Sequence, residues 1–240
     1  MQDWNPWHGC HKISSGCLNC YMFRRDAEFG KDSEVIAKTS NFNLPIKKNK
    51  LGEYKLKPDK EAIFTCGTSD FFIEEADTWR KEAWGFMKER KDLNFLVITK
   101  RIHRFTVQLP EDWGEGYDNV LIGCTCENQN RSDYRLPIFL EAPMKHRVII
   151  QEPMLEAINI ETYLSTGKIE AVLCGGESGE DGRVCDFSWV LNTMMQCVKY
   201  EIPFRFKQTG THFKKGDKIY TIVRKDQISQ AKRAGIDYKM

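Results

Sequence analysis

Six short apolar runs recur along the chain, and they constrain its fold more than any other feature. They lie at 61–70, 93–101, 119–128, 146–154, 170–179 and 202–210. Each has a core of four to six mostly apolar, partly β-branched residues and ends in polar residues or glycine. Such near-continuous runs are typical of buried parallel strands. The sequence therefore predicts six parallel strands.

Segments with a helical pattern lie between most of these runs. Segment 74–91 carries an apolar stripe, and 132–143 is shorter and contains a proline. Segment 186–201 has a third stripe. The predicted stripe residues are Trp79, Ala83, Phe86 and Met87 in the first segment, and Trp189, Leu191, Met194, Met195 and Val198 in the last.

The alternation of strands and helices predicts an α/β fold with right-handed crossovers and a parallel sheet. The number of units, and the lack of a GxGxxG or Walker motif, favours a single TIM-type (β/α) barrel, partial or complete. We expect one domain over 1–240. The lysine-rich segments 30–60 and 211–240 are interpreted as a connection carrying a helix and a C-terminal extension.

Composition limits the classes of partner and compartment. Lys+Arg and Asp+Glu number 36 and 34, so a net charge of +2 indicates no partner by itself. No apolar run is long enough to cross a bilayer and no secretory signal begins the chain, so we expect a cytoplasmic protein without a membrane partner. Nine cysteines cannot all pair, and thiols stay reduced in that compartment.

Three of the nine cysteines, Cys10, Cys17 and Cys20, fall within eleven residues with the spacing C-x6-C-x2-C. Thiolates are soft ligands suited to zinc or to iron–sulfur clusters. Three thiolates without a fourth fit a [4Fe–4S] cluster with one open iron. His11 would complete a zinc site, so zinc and plain thiols stay as alternatives. The other six cysteines are interpreted as core residues.

Polar groups follow every predicted strand. In a parallel barrel these groups meet at the carboxyl ends of the strands, where active sites form. The stretch 174–182 contains two glycines that permit close approach of the backbone to a ligand. The candidate site residues are Ser69, Asp70, Lys100, Arg101, Glu127, Asn128, Glu152, Gly175, Gly176, Glu177, Lys207 and Gln208.

Seven motifs in one order resemble a known family. They lie at 4–21, 68–72, 95–101, 119–129, 151–154, 172–179 and 202–210. The chain resembles the phage- and mobile-element-associated family called domain of unknown function 5131, which looks like a compact branch of the radical S-adenosylmethionine (SAM) enzymes. The cysteine spacing differs from the usual C-x3-C-x2-C of radical-SAM enzymes. It is the family's own variant, and Tyr21 after the last cysteine matches the wider pattern.

The resemblance implies a cluster loop, at 8–21, near the mouth of the barrel, and the C-terminal extension covers about 211–240. It implies that Cys10, Cys17 and Cys20 bind a [4Fe–4S] cluster. SAM would chelate its open iron, and one electron from a donor such as flavodoxin or ferredoxin would give a 5′-deoxyadenosyl radical. That radical would abstract hydrogen from an unidentified substrate.

The resemblance also suggests roles for the strand-end residues. Ser69 and Asp70 would hold the SAM ammonium, Lys100 or Arg101 its carboxylate, and Glu127 and Asn128 its ribose. The backbone of Gly175 and Gly176 would border the adenine or the substrate, together with Glu177. The catalytic candidates facing the substrate are Glu152, Glu177, Lys207 and Gln208.

The family context implies that the substrate is a nucleotide, a nucleic-acid base or a peptide. A near-neutral chain is not an obvious duplex-DNA binder, although Arg24, Arg25, Lys47, Lys48 and Lys50 would form a local basic patch. Two other functions stay open. One is a zinc-stabilised, nucleic-acid-associated binding module. The other is a cluster-free barrel hydrolase or lyase that uses Glu127, Glu152 and Glu177 for acid–base chemistry.

Overall fold

The computed structural model describes residues 2–240 and shows a mixed α/β fold. Its helices are α1 Tyr21–Glu28, α2 Asp77–Glu89, α3 Gln129–Glu141, α4 Glu161–Leu164, α5 Phe187–Lys199 and α6 Arg224–Arg233. Its strands are β1 Asp3–Trp4, β2 Trp7–His8, β3 Ala37–Lys38, β4 Ile63–Thr65, β5 Phe95–Thr99, β6 Val120–Thr125, β7 His146–Gln151, β8 Ala171–Gly175, β9 Cys185–Asp186, β10 Phe204–Gln208, β11 His212–Lys215 and β12 Lys218–Thr221.

Seven strands form one sheet in the order β1-β4-β5-β6-β7-β8-β10. Neighbours such as β4 and β5, or β8 and β10, pair in parallel. Each of the six predicted runs contains one strand of this sheet, so the prediction of a parallel α/β sheet is confirmed. The order has two ends, β1 and β10, so the sheet is open and is not a complete barrel.

Two compact units divide the chain. The first contains residues 2–12, 22–123 and 141–146, and the second contains residues 13–21, 124–140 and 147–240. Cys10 therefore belongs to the first unit, while Cys17 and Cys20 belong to the second.

An aromatic cluster fills the core of the first unit. The rings of Trp7 and Phe71 stack with centroids 5.1 Å apart, and Phe71 meets Trp84 at 4.8 Å. Helix α2 buries Ala83, Trp84 and Met87. The predicted stripe therefore contained two of these residues, but it included Trp79, which is only partly buried, and omitted Trp84, which is fully buried.

Helix α2 also buries a charged residue, Arg80. Its carboxylate partner makes the stability of the protein depend on pH in a way that can be tested. The guanidinium of Arg80 donates to the carbonyls of Phe71 and Ile73 at 3.2 Å and to the Asp77 carboxylate. Arg104 donates to the other oxygen of Asp77 at 2.7 Å. Burial alone would raise the pKa of Asp77, but the bonds from both arginines outweigh it and hold the pKa below its usual 3.8.

We expect Asp77→Asn to lower the free energy of unfolding by about 2 kcal/mol at neutral pH, because it removes charge-assisted hydrogen bonds. A lowered carboxyl pKa stabilises the fold above the unfolded pKa, and this contribution is lost as the pH falls through the folded pKa. The difference between wild type and variant should therefore shrink in urea titrations at about pH 3. Glu74→Gln is the control, since Glu74 pairs with Arg104 but is exposed. A pH-independent difference for Asp77→Asn would contradict this account.

The buried face of α5 in the second unit differs from the predicted one. The helix buries Val190, Thr193, Gln196 and Cys197, whereas Met195 is 58% exposed. Polar residues face inward because each has a partner there. Thr193 donates to Gln151 at 2.9 Å, and Gln196 bonds to the backbone of Ile158 and Ile160. The apolar stripe predicted for 186–201 was therefore wrong.

The two lysine-rich segments are built differently from each other. The connection at 30–60 has a single 3-10 turn, Leu44–Ile46, and no α-helix, so the helix expected there is absent. The extension at 211–240 is a structured part of the second unit. It supplies the antiparallel hairpin β11–β12 and the helix α6.

Across residues 2–240, no helix has both the length and the apolar character that a membrane span requires.

Candidate functional site

The nine cysteines fall into two groups by exposure, and all nine lie in the described part of the chain. Cys10, Cys17 and Cys20 are half-buried, and the other six are buried. None of the nine is in a disulfide. Burial raises the pKa of Cys185 and Cys197 to about 12. Thiols of this kind are unreactive, so the interpretation of the six as core residues is confirmed.

Cys10 lies beside Arg101 within the first unit. The guanidinium of Arg101 donates to the Cys10 sulfur over 3.7 Å and to the carbonyl of His11 over 2.8 Å. A cation at this distance offsets the negative charge of a thiolate. Arg101 is buried, so this contact lies in a partly desolvated environment.

Asp70 holds Arg101 in place. Its carboxylate lies 3.4 Å from the Arg101 guanidinium and accepts bonds from the Thr99 hydroxyl at 2.7 Å and the Lys100 backbone N–H at 2.9 Å. The hydroxyl of Ser69 donates to the carbonyl of Gly9. Two of the predicted residues, Ser69 and Arg101, therefore contact the backbone on either side of Cys10, and Asp70 supports Arg101.

Cys17 and Cys20 lie in a short segment of the second unit that is anchored by polar side chains. The backbone N–H of Gly16 donates to Glu127 at 3.3 Å, and Asn128 donates to the Ser15 hydroxyl at 3.2 Å. Asn19 donates to Glu177 at 3.0 Å and to the carbonyl of Asp181 at 2.7 Å. Hydrogen bonds therefore fix the positions of Gly16 and Asn19, the residues directly before Cys17 and Cys20.

Glu127 is completely buried and forms an ion pair with Arg135, a residue on α3. The guanidinium of Arg135 lies 2.6 Å from the Glu127 carboxylate and also donates to the carbonyl of Thr125 at 2.7 Å. Sequence reasoning identified Glu127 but missed Arg135. The only available signal was an arginine eight residues later in a helical pattern.

Glu177 also forms an ion pair with an arginine. Arg183 donates to both of its oxygens, at 2.8 and 2.7 Å. Burial would raise the pKa of Glu177, but the bonds from Arg183 and Asn19 outweigh it and lower the pKa. Glu177 is therefore ionised at neutral pH, which suits an acceptor better than a general acid.

Glu152, Lys207 and Gln208 form a separate polar cluster. The ammonium of Lys207 lies 2.8 Å from one oxygen of Glu152, and the Gln208 amide donates to the other. Lys207 remains about half exposed. Gly175 borders this cluster, because a Cβ there would lie 3.0 Å from the Glu152 oxygen.

Gly176 has a packing role within the sheet. An added Cβ would lie 2.1 Å from the carbonyl oxygen of Thr209, and its N–H already donates to the carbonyl of Gln208 at 3.0 Å. At Gly176, the missing side chain therefore allows two backbone segments of the protein to approach each other closely.

Two histidines near the cysteines have carboxylate partners that the sequence did not indicate. His8 bonds to the buried Asp26 at 2.8 Å. His11, the candidate fourth zinc ligand, bonds through Nε2 to Glu75 at 2.6 Å. Among residues 2–240, no three His, Cys, Asp or Glu side chains form a group placed to hold a metal ion.

These features define an α/β protein with a three-cysteine N-terminal segment held by residues that follow the parallel strands. The family described as protein of unknown function (DUF5131) matches residues 1–237, and the chain belongs to that family. No curated protein and no solved structure matches the chain.

Proposed function

We propose that the chain is a radical SAM enzyme whose cluster ligands are Cys10, Cys17 and Cys20. One observation supports this most directly. Within the described residues, these three are the partly exposed thiols, and the other six cysteines are core residues. The open parallel sheet is compatible with a partial (β/α) barrel, which we propose as the fold type. We also propose a cytoplasmic location.

The donor set fits a [4Fe–4S] cluster better than a zinc ion. Three thiolates leave one iron open, whereas structural zinc requires a fourth protein ligand. His11, the nearest candidate, is engaged by Glu75. When bound, such a cluster supplies the electron that cleaves SAM, and a flavodoxin- or ferredoxin-type protein supplies that electron in turn.

The chain's own residues would bind and orient the reactants. The half-exposed Lys207 presents an ammonium held by Glu152, which suits an anionic group of SAM or of the substrate. Ser69, Lys100, Asn128 and Gly175 stay candidates for SAM contacts. A nucleotide, a nucleic-acid base or a peptide stays the proposed substrate class.

Anaerobic purification followed by a visible spectrum tests the proposal. We expect a brown protein with about four irons and four sulfides per chain, whose absorption bleaches with dithionite. With SAM and dithionite it should release 5′-deoxyadenosine and methionine. A colourless protein that binds one zinc would contradict the proposal and favour the zinc module. A metal-free protein would favour the cluster-free enzyme.

A further inference from the structure

Three acidic residues that follow parallel strands are linked to the cysteine segment, two of them by direct hydrogen bonds and Asp70 through Arg101. We propose that Asp70, Glu127 and Glu177 are positioning residues for the three thiols, and not contacts to SAM or substrate. This inference rests on the proposed function, because it treats the thiols as cluster ligands.

Asp70 acts on Cys10 through an arginine. Arg101 reaches the Cys10 sulfur and the next carbonyl, so one guanidinium fixes both the thiol and the backbone after it. The Asp70 carboxylate beside it also accepts bonds from the Thr99 hydroxyl and the Lys100 backbone N–H. Because these groups engage both oxygens of Asp70, its role in this proposal is to orient Arg101.

Glu127 acts on the residue before Cys17. It accepts the N–H of Gly16, and its own position is fixed by Arg135. The approach is close enough to require glycine, because a Cβ at Gly16 would lie 2.9 Å from the Glu127 carboxyl carbon. The peptide leading into Cys17 is therefore packed directly on a buried carboxylate that is paired with Arg135.

Glu177 acts on the residue before Cys20. It accepts a bond from the Asn19 amide, while Arg183 binds both of its oxygens. Asn19 also donates to the carbonyl of Asp181, so its side chain is held at two points. The position of the residue before Cys20 thus depends on the Glu177–Arg183 pair.

The arrangements around Asp70, Glu127 and Glu177 have one feature in common. Each carboxylate pairs with an arginine, Arg101, Arg135 or Arg183, which neutralises it and fixes its orientation. Such partners around metal ligands are worth roughly a 10- to 100-fold change in metal affinity when removed. Glu152, which follows β7, pairs with Lys207 and Gln208 instead, and it provides a matched control from the same kind of position.

The test leaves the three buried acids in place and changes one hydrogen-bond partner of each. Asn19→Ala, Gly16→Ala and Arg101→Lys are compared with wild type and Glu152→Gln after anaerobic reconstitution with iron and sulfide. The readouts are iron and sulfide per chain, the rate of iron loss to a chelator, and the electron paramagnetic resonance spectrum of the reduced protein. Thermal unfolding of each apoprotein separates loss of fold from loss of positioning.

We expect Asn19→Ala and Gly16→Ala to lose iron about 10- to 100-fold faster than wild type, with an altered resonance spectrum. Arg101→Lys, which keeps one donor, should show a smaller effect, and Glu152→Gln should match wild type in iron content and in the rate of iron loss. If Asn19→Ala and Gly16→Ala, with apoproteins that melt as wild type does, keep wild-type iron retention and spectrum, the positioning role is overturned and the proposed function stands. A wild-type chain that takes up no iron and sulfide overturns both.

Discussion

Cys17→Ala protein should bind almost no iron or sulfide after reconstitution under conditions that load the wild type with about four of each. The reason is ligand number. Three thiolates are the fewest that hold such a cluster with one iron open, so removing one leaves a second iron without a protein ligand. Iron and acid-labile sulfide assays, with the visible spectrum, measure the loss.

Cys197→Ala is the matched control for this prediction. Cys197 is a fully buried thiol on α5, and burial raises its pKa to about 12. Its replacement removes core volume and should lower stability while leaving iron binding intact. If Cys17→Ala retained the wild-type complement of iron and sulfide, the assignment of the three cysteines would be wrong.

Arg135→Met should lower the free energy of unfolding by about 3–5 kcal/mol. The substitution keeps an apolar chain of similar length but leaves the fully buried carboxylate of Glu127 without its arginine. A buried charge that loses its partner has little solvent to stabilise it. Urea unfolding followed by circular dichroism measures the change.

The control for this second prediction is Lys145→Met. Lys145 pairs with Asp118 at 2.6 Å, but both side chains are exposed to solvent. Exposed pairs contribute little because water screens them. We therefore expect an unfolding midpoint close to wild type for Lys145→Met. Equal shifts in the two variants would show that burial does not set the strength of the Glu127–Arg135 pair.

The sheet was largely predictable from sequence because most of its strands are buried or half-buried at every position, with β1 and β10 as the exceptions. Each of the six apolar runs contains a strand, since continuous apolar character identifies such strands without help from tertiary contacts. The two-residue strand β1 was missed, because two residues carry no periodicity. The inward face of α5 was missed because Thr193 and Gln196 are buried through hydrogen bonds to residues far away in sequence.

The candidate site was predictable as a set of residues and not as a set of contacts. The strand-end acids were identified from their position after each run. Their partners were not, because Gly16 and Glu127 are 111 residues apart and Asn19 and Glu177 are 158 apart. A sequence pattern reports local periodicity, whereas these contacts depend on how the chain closes long loops.

Strand β10 lies at one end of the sheet order, and residues 237 and 238 cover its outer edge. The backbone of Phe204 exchanges two hydrogen bonds with Tyr238, and the N–H of Phe206 donates to the Asp237 side chain at 2.8 Å. An uncovered edge strand is a template for pairing with other chains. On the ribosome, this edge therefore stays open to intermolecular association until residues 237 and 238 have emerged.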